Sequence, residues 1–272
     1  MKRSTNTRMN HNIAIIGGGN LGTAIAEGLI ASKFSKPSEI IITKRNLAAL
    51  KPLEKKGAVI TSANSDAVKK SQIIILAVKP FQVKEVLEGI RKDLTASHIL
   101  VSVLTGVTIS DIEEVVKKKL PVFRAMPNTA IAIRESMTCL SSSNASAEHV
   151  KLINDVFSTV GKVVTIDEKL MDAATVLGAC GTAYAMRYIR ANIQGGIEIG
   201  FDAQTASLIA AQTVKGAADL LLQKGSHPES EIDKVTTPKG CTIAGLNEME
   251  HRGFSSSLIK GVVASYNKIL KS

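Results

Sequence analysis

The chain has 272 residues and a net charge of +10, from 34 lysine and arginine residues against 24 aspartate and glutamate residues. This length allows two domains and a sizeable core, while scattered basic residues and an aromatic content of 3% disfavour nucleic acid binding. No apolar run reaches the ~18 residues of a membrane span, and no apolar secretory segment opens the chain. Residues 1–11 are polar and are predicted to form a disordered tail.

The first predicted strand, Asn12–Ile16, leads into a glycine turn. Gly17, Gly19 and Gly22 satisfy the pattern G-x-G-x-x-G, and apolar residues at helical spacing follow. Strand, glycine turn and helix form the context that the dinucleotide fingerprint requires, because the glycines allow a tight turn, a close pyrophosphate and close helix packing. A tight turn without a ligand is the alternative. The predicted contacts are Gly17, Gly19, Asn20, Leu21 and Gly22.

Strands and helices alternate from this turn to about residue 165. Apolar or β-branched runs predict strands at 39–43, 71–78, 98–103 and 121–125, and near 135–140 and 161–166. Helical patterns lie between them at 46–56, 81–91 and 108–119, and near 146–160. The alternation predicts a dinucleotide-binding domain over 12–166, with a Rossmann-type doubly wound parallel sheet.

Strand patterns stop after residue 167. Apolar residues recur at three- and four-residue steps over 203–223 and 257–270, and Ile189, Ile193 and Ile197 form a stripe on another helix. The predicted fold class is therefore α/β, with a C-terminal all-helical domain at 167–272. Its apolar faces exceed what a small domain covers alone, so we expect at least a homodimer formed through these helices.

The end of the second strand selects the dinucleotide. NAD-binding domains place a carboxylate there for the ribose 2′-hydroxyl, whereas this strand runs into Thr43, Lys44, Arg45 and Asn46. Basic and hydroxyl groups suit a 2′-phosphate, which favours NADPH, with NADH as the alternative cofactor. A solvated turn is the other interpretation.

Other strand ends extend the predicted cofactor site. Ligands of open α/β sheets bind beyond the carboxyl ends of the strands, and ordinary βα turns are the alternative interpretation. The added residues are Ala77, Val78, Lys79, Pro80, Leu104, Thr105, Met126 and Asn128.

Two glycine-bearing segments of the helical region are candidates for a carboxylate site. They are GACGTAY at 178–184 and VTTPKGCT at 235–242, and each is predicted to lead into a helix. Helix starts built from small residues expose amides that bind anions. A simple helix cap is the alternative for each segment.

With GGGNLG, AVKP at 77–80, VTIS at 107–110 and MPNT at 126–129, these segments resemble the pyrroline-5-carboxylate reductase family, from Ile13 to about Leu270. The resemblance implies NAD(P)H-dependent reduction of the cyclic imine 1-pyrroline-5-carboxylate to L-proline, the final step of proline biosynthesis. It implies that backbone amides of loop 236–242 hold the substrate carboxylate, and that Thr242 is the catalytic hydroxyl at the ring nitrogen. It also implies dimers that associate into a ring of five dimers. The implied substrate-binding residues are Cys180, Gly181, Thr182, Thr236, Thr237, Pro238, Lys239, Gly240, Cys241 and Thr242.

Three departures from the family pattern leave the exact substrate open. Cys180 replaces a serine, Thr182 a proline and Lys239 a glycine. One alternative is an NADP-dependent reductase of a related imine or 3-hydroxy acid, although no lysine lies between Met171 and Gln212 to act as its acid. Another is a nucleotide sensor without catalysis. Three widely spaced cysteines predict a reduced, cytoplasmic protein without a metal site.

Overall fold

The structure is a computed structural model that describes residues 12–271; the predicted tail at 1–11 lies outside them. The described chain forms two compact units, one extending to Ala179 and the other running from Cys180 to Lys271. The boundary predicted at 166/167 precedes this division. The reason is that the residues just after 167 still pack on the first unit, where Met171 is buried against Met126 and Cys139.

The first unit is built on an eight-stranded sheet in the order β3-β2-β1-β4-β5-β6-β7-β8. The strands are β1 (Ile13–Ile16), β2 (Ile40–Thr43), β3 (Val59–Thr61), β4 (Ile73–Leu76), β5 (Ile99–Ser102), β6 (Val122–Met126), β7 (Ser136–Ser143) and β8 (Gly161–Thr165). The helices are α1 (Asn20–Ser32), α2 (Lys51–Lys55), α3 (Asn64–Lys69), α4 (Val83–Ile90), α5 (Ile109–Val116), α6 (Ala147–Ser158) and α7 (Met171–Ala174).

Both faces of the sheet are buried, which explains the unbroken apolar runs of the central strands. Successive side chains of a strand point to opposite faces. Ile13 and Ile15 accordingly join a core that α1, α2 and α6 cover. Ala14 and Ile16 join a second core under α3, α4 and α5. The predicted doubly wound sheet is confirmed.

Two details of the sheet differ from the prediction. β7 pairs antiparallel with β6, because a parallel neighbour would need a crossover of a dozen or more residues and only residues 127–135 join these strands. β3 and α3 were not predicted at all. A three-residue strand and a six-residue helix are too short to establish a hydrophobic period.

The second unit, residues 180–271, has helices as its only regular secondary structure, as predicted. Its helices are α8 (Gly181–Glu198), α9 (Ala203–Lys224), α10 (Pro228–Lys234), α11 (Cys241–His251) and α12 (Phe254–Ile269). The Tyr184 hydroxyl lies 2.6 Å from that of Ser265, joining α8 to α12. Within the part of the chain that the structure describes, no helix is long and apolar enough to cross a membrane.

The apolar side chains of this unit are mostly uncovered. Among residues 180–271 only Ala206 and Ala210 are buried. The predicted stripe lies on α8, but only one of its three residues is exposed. Ile189 and Ile193 are half-buried and Ile197 is exposed. Apolar side chains that are more exposed occur elsewhere on helices α8, α9 and α12: Met186, Leu208, Leu222 and Ile259.

Two helical glycines make a matched test of how closely α1 packs. A β-carbon at Gly28 would lie 2.5 Å from the Ile131 carbonyl oxygen, whereas one at Gly89 in α4 would meet nothing within 4 Å. We expect Gly28→Ala to destabilise the fold by ~1–3 kcal/mol through overpacking. Gly89→Ala should be neutral or stabilise it by up to ~1 kcal/mol. Urea unfolding midpoints measure both, and equal midpoints would contradict the close approach.

Candidate functional site

The glycine turn after β1 is held by the end of β2. The Gly17 amide donates to Oγ1 of Thr43 over 3.3 Å, and the Gly18 amide donates to the Thr43 carbonyl over 2.7 Å. Gly17 has φ +116°, a conformation that glycine adopts without strain. Thr43 is buried, and its hydroxyl supports the turn by accepting from the Gly17 amide.

The fingerprint glycines form a cradle that fits a pyrophosphate. A β-carbon at Gly22 would lie 2.0 Å from the Gly17 carbonyl oxygen, while the space beside Gly19 is open to 4 Å. Gly19 is the N-cap of α1, and no side chain of the described residues caps that helix. The first amides of α1 are therefore available to an anion, which the helix dipole also favours.

A cavity of about 910 Å³ extends from this cradle across the ends of β2, β1, β4, β5 and β6. It lies beyond the carboxyl ends of parallel strands, where open α/β sheets bind their ligands. Four strand spacings of about 4.8 Å separate β2 from β6, so the cavity is roughly 19 Å long. The predicted cofactor contacts all line it: Gly17, Gly19, Asn20, Leu21, Thr43, Lys44, Arg45, Asn46, Ala77, Val78, Lys79, Pro80, Leu104, Thr105, Met126 and Asn128, with Gly22 packed behind the turn.

The β2 end of the cavity is basic. Lys44 is half-buried and Arg45 exposed, and neither forms an ion pair within residues 12–271. The side-chain Oδ1 of Asn46 already accepts from the Ala48 amide over 3.0 Å. Ser62 and Asn64 line the same end. They were missed because they follow β3, the strand whose shortness hid it from the sequence analysis.

The β6 end of the cavity has a largely apolar wall. Leu104, Met126 and Ala179 line it together with Asn128. Each group of the Asn128 amide has one partner within the protein, Oδ1 accepting from the Ala130 amide and Nδ2 donating to the Gly178 carbonyl, at 3.0 and 3.1 Å. These two bonds fix the orientation of Asn128 in the wall and leave one N–H and one lone pair of its side chain for a ligand.

The segment GACGTAY does not start an isolated helix. Thr175–Cys180 is a π-helical segment, and α8 begins directly after it at Gly181. The expectation that Cys180, Gly181 and Thr182 display the free amides of a helix start is therefore wrong. The rare π-helical turn is a feature frequently found at functional sites.

The second segment does start a helix. Pro238 and Lys239 are the central residues of a turn in which the Gly240 amide donates to the Thr237 carbonyl over 2.9 Å. Lys239 has φ +61°, at the position where such turns prefer glycine. The Thr236 hydroxyl donates to the Ile232 carbonyl and the Thr236 amide to Asp233. Thr236 and Gly240 thus have no free amide to offer, contrary to the prediction for the whole loop.

Thr242 is placed differently from a helix cap. The N-cap of α11 is Gly240, so Thr242 is the second residue of the helix, half-buried, and its hydroxyl has no hydrogen-bond partner among the described residues. The cap interpretation of Thr242 is therefore excluded. The loop amides without a backbone partner in residues 12–271 are those of Thr237, Lys239, Cys241 and Thr242.

Fold and cavity define the class of the protein as a dinucleotide-binding Rossmann-type protein. Residues 12–106 match the family model described as NADP oxidoreductase coenzyme F420-dependent. Residues 168–271 match the model described as pyrroline-5-carboxylate reductase dimerisation.

Individual relatives cover both units. Pyrroline-5-carboxylate reductase 2 of Dictyostelium discoideum is 45% identical over 99% of this chain and 95% of its own length. Pyrroline-5-carboxylate reductase 1 of that organism is 48% identical over 94% of this chain, which spans only 49% of that longer protein. The NADP-bound structure of Plasmodium falciparum pyrroline carboxylate reductase superposes with a TM-score of 0.87 at 27% identity, covering 96% of this chain and 97% of that one. The chain belongs to the pyrroline-5-carboxylate reductase family.

The basic end of the cavity gives a cofactor test. Replacing Lys44 and Arg45 by alanine should weaken NADPH binding by tenfold or more and leave NADH binding nearly unchanged, because only NADPH carries the 2′-phosphate and one lost charge-assisted hydrogen bond is worth about 1.5–3 kcal/mol. Fluorescence titration with both cofactors measures this.

The matched control is Arg91→Ala/Lys92→Ala, which removes the same two charges outside the cavity. It should leave both affinities close to those of the unmodified protein. Equal losses for NADPH and NADH in the Lys44/Arg45 variant would refute the assignment of the basic end.

Proposed function

We propose that this chain reduces 1-pyrroline-5-carboxylate to L-proline, using NADPH that binds in the cavity of the first unit. The observation that carries the proposal is the start of α11, where a free hydroxyl on Thr242 stands beside unused backbone amides in a chain that also carries the dinucleotide cradle. Family membership supports the same reaction.

The cofactor is NAD(P)H, and NADPH is the preferred form. Bound NADPH supplies the hydride for reduction of the C=N bond. The amides at the start of α1 hold its pyrophosphate, and Lys44 and Arg45 hold its 2′-phosphate. In this arrangement the nicotinamide would lie at the opposite end of the cavity, which Met126 and Ala179 line.

The turn at 237–240 and the start of α11 hold the substrate. The amides of Cys241 and Thr242 lie at the positive end of the helix dipole and suit a carboxylate. The Thr242 hydroxyl accepts the N–H of the protonated imine and orients the ring. A cyclic imine binds as its iminium, so positioning of the ring is the main contribution of the protein.

The Lys239 ammonium adds a positive charge to this loop. Its side chain is exposed and forms no ion pair within the described residues. A cation close to the carboxylate site favours a substrate that carries a carboxylate over an imine without one. This is the substrate class that 1-pyrroline-5-carboxylate represents.

A direct assay tests the function. Purified protein mixed with NADPH and 1-pyrroline-5-carboxylate should consume NADPH, followed by nicotinamide absorbance, with L-proline as product. A 3-hydroxy acid with NADP⁺ should give no turnover, because α8 has no lysine to accept the hydroxyl proton in that oxidation. Binding of NADPH without turnover of the imine would instead favour the sensor interpretation.

The chain forms homo-oligomers, and we place the interface on the helices of the second unit. A unit in which only two alanines of residues 180–271 are buried has little core of its own. Covering its exposed apolar side chains against a second copy supplies the missing burial, and further association into a ring of five dimers belongs to the same proposal.

The free cysteines, Cys139, Cys180 and Cys241, support a cytoplasmic location, where thiols stay reduced.

The assembly proposal predicts a dimeric or larger mass at micromolar concentration by light scattering. Leu208→Asp, at a side chain that is 69% exposed on α9, should shift the mass toward that of a monomer because a carboxylate in an apolar interface is not solvated. Ile133→Asp changes a 72% exposed side chain of the first unit and should leave the mass unchanged. A monomeric unmodified protein would disprove the proposal.

The role of Thr242 predicts a specific pair of variants. Thr242→Val keeps the shape but removes the hydrogen bond to the substrate nitrogen, a loss of ~1–3 kcal/mol. At ~1.4 kcal/mol per tenfold change, kcat/KM should fall roughly 5- to 150-fold. Thr242→Ser keeps the hydroxyl and should retain most of the activity.

Two controls accompany the Thr242 measurement. NADPH affinity should be the same in both variants, since the cradle at 17–22 is untouched. Melting temperatures should also stay close to that of the unmodified protein, because Thr242 is not a cap. Full activity of Thr242→Val would remove Thr242 from the catalytic machinery.

A further inference from the structure

A buried ionic cluster lies beside the cofactor cavity. Arg124 on β6 is 4% exposed, and its Nη1 donates to Oε1 of Glu168 over 3.1 Å. Its Nη2 lies 3.6 Å from Oδ1 of Asp172. Oε1 of Glu168 also accepts from the amide of Ile109 at the start of α5, over 2.7 Å. One guanidinium thus joins β6 to the segment 168–172 that follows β8.

This cluster contributes little to the stability of the fold. Nε and Nη2 of Arg124 and Oδ1 of Asp172 are buried without a hydrogen bond in the described structure. Burying charged groups costs free energy that imperfect pairing does not recover, and apolar replacements of such clusters are often neutral or stabilising. What a fixed, planar guanidinium does provide is a defined position for the two carboxylates it faces.

The segment held by Arg124 packs behind Met126, which lines the β6 end of the cavity. Met171 lies between the two carboxylates in the chain and is fully buried against Met126 and Cys139. Burial raises the pKa of the Cys139 thiol, so this contact is a neutral, apolar one. Met126 itself lines the cavity, and so does Ala179 in the π-helical segment Thr175–Cys180, which follows α7.

We propose that Arg124 is a positioning residue, which sets the wall of the cavity formed by Met126 and Ala179 and thereby the placement of the nicotinamide. The proposal rests on the proposed function for the identity of the ligand. Arg124 does not touch the ligand in this account, since it does not line the cavity. Its effect passes through Glu168 and Asp172 to Met171, and from Met171 to Met126.

Binding measurements separate this role from a merely structural one. NADPH and 2′-phospho-ADP-ribose, which lacks the nicotinamide, are titrated calorimetrically into the full-length unmodified protein and into Arg124→Met. The fragment contacts only the β2 end of the cavity and the cradle. Its affinity should therefore differ by less than about twofold between the unmodified protein and Arg124→Met. NADPH should lose most of its affinity advantage over the fragment, and kcat should fall roughly 10- to 100-fold, as expected for a misplaced reacting group.

Arg124→Met leaves two carboxylates without their cation, so a second variant guards against misfolding. Arg124→Met/Glu168→Gln/Asp172→Asn removes the whole charge cluster and should melt close to the unmodified protein while keeping the NADPH-specific loss. Arg124→Lys keeps the positive charge but lacks the planar guanidinium. Its NADPH affinity and kcat should lie between those of the unmodified protein and those of Arg124→Met. Equal losses for NADPH and the fragment, or normal NADPH binding and kcat in the folded triple variant, would overturn the proposal.

Failure of the proposed function gives a different result. In that case the unmodified protein binds both ligands but does not oxidise NADPH with 1-pyrroline-5-carboxylate. The comparison of NADPH with the fragment still decides the role of Arg124, because it measures the nicotinamide end without any turnover.

Discussion

The whole cofactor cavity depends on how closely α1 approaches β1. A β-carbon on residue 22 would lie only 2.0 Å from the Gly17 carbonyl oxygen, so any residue larger than glycine at this position would push the helix away. The approach places the first amides of α1 directly beyond the end of β1. Because β1 lies between β2 and β4, the cavity extends to both sides of these amides, toward basic groups on one side and an apolar wall on the other.

The fold could be predicted wherever a strand is buried on both faces. IAII, IIIL and ILVS are completely apolar or nearly so because each face of the sheet has its own core. The direction of β7 could not be predicted in the same way, because the length of the connection decides it and not the residues of the strand. β3 was missed because it is short and half-exposed at the edge of the sheet, where burial imposes no pattern.

The candidate site was predictable for backbone functions and less so for side chains. The glycine spacing indicates the cradle because it reports backbone geometry within one turn. Thr43 and Asn128 reach the cavity as predicted, but their polar groups bond to the protein itself. Such partners depend on tertiary contacts, as does the pairing of Arg124 with Glu168, 44 residues further along the chain. The same holds for the π-helical segment, whose sequence suggests a helix start.

The proposed function links catalysis and assembly through the helical unit. Its only buried residues within 180–271 are two alanines, so in the proposed dimer the packing that fixes α11 and the turn before it would come from a second copy. Lys239 in that turn adopts a left-handed conformation, which costs an L-residue roughly 1–2 kcal/mol. A strained turn persists only where its surroundings over-determine it. If the second copy provides those surroundings, folding of the substrate loop becomes concentration-dependent by mass action, and the active geometry is a property of the oligomer.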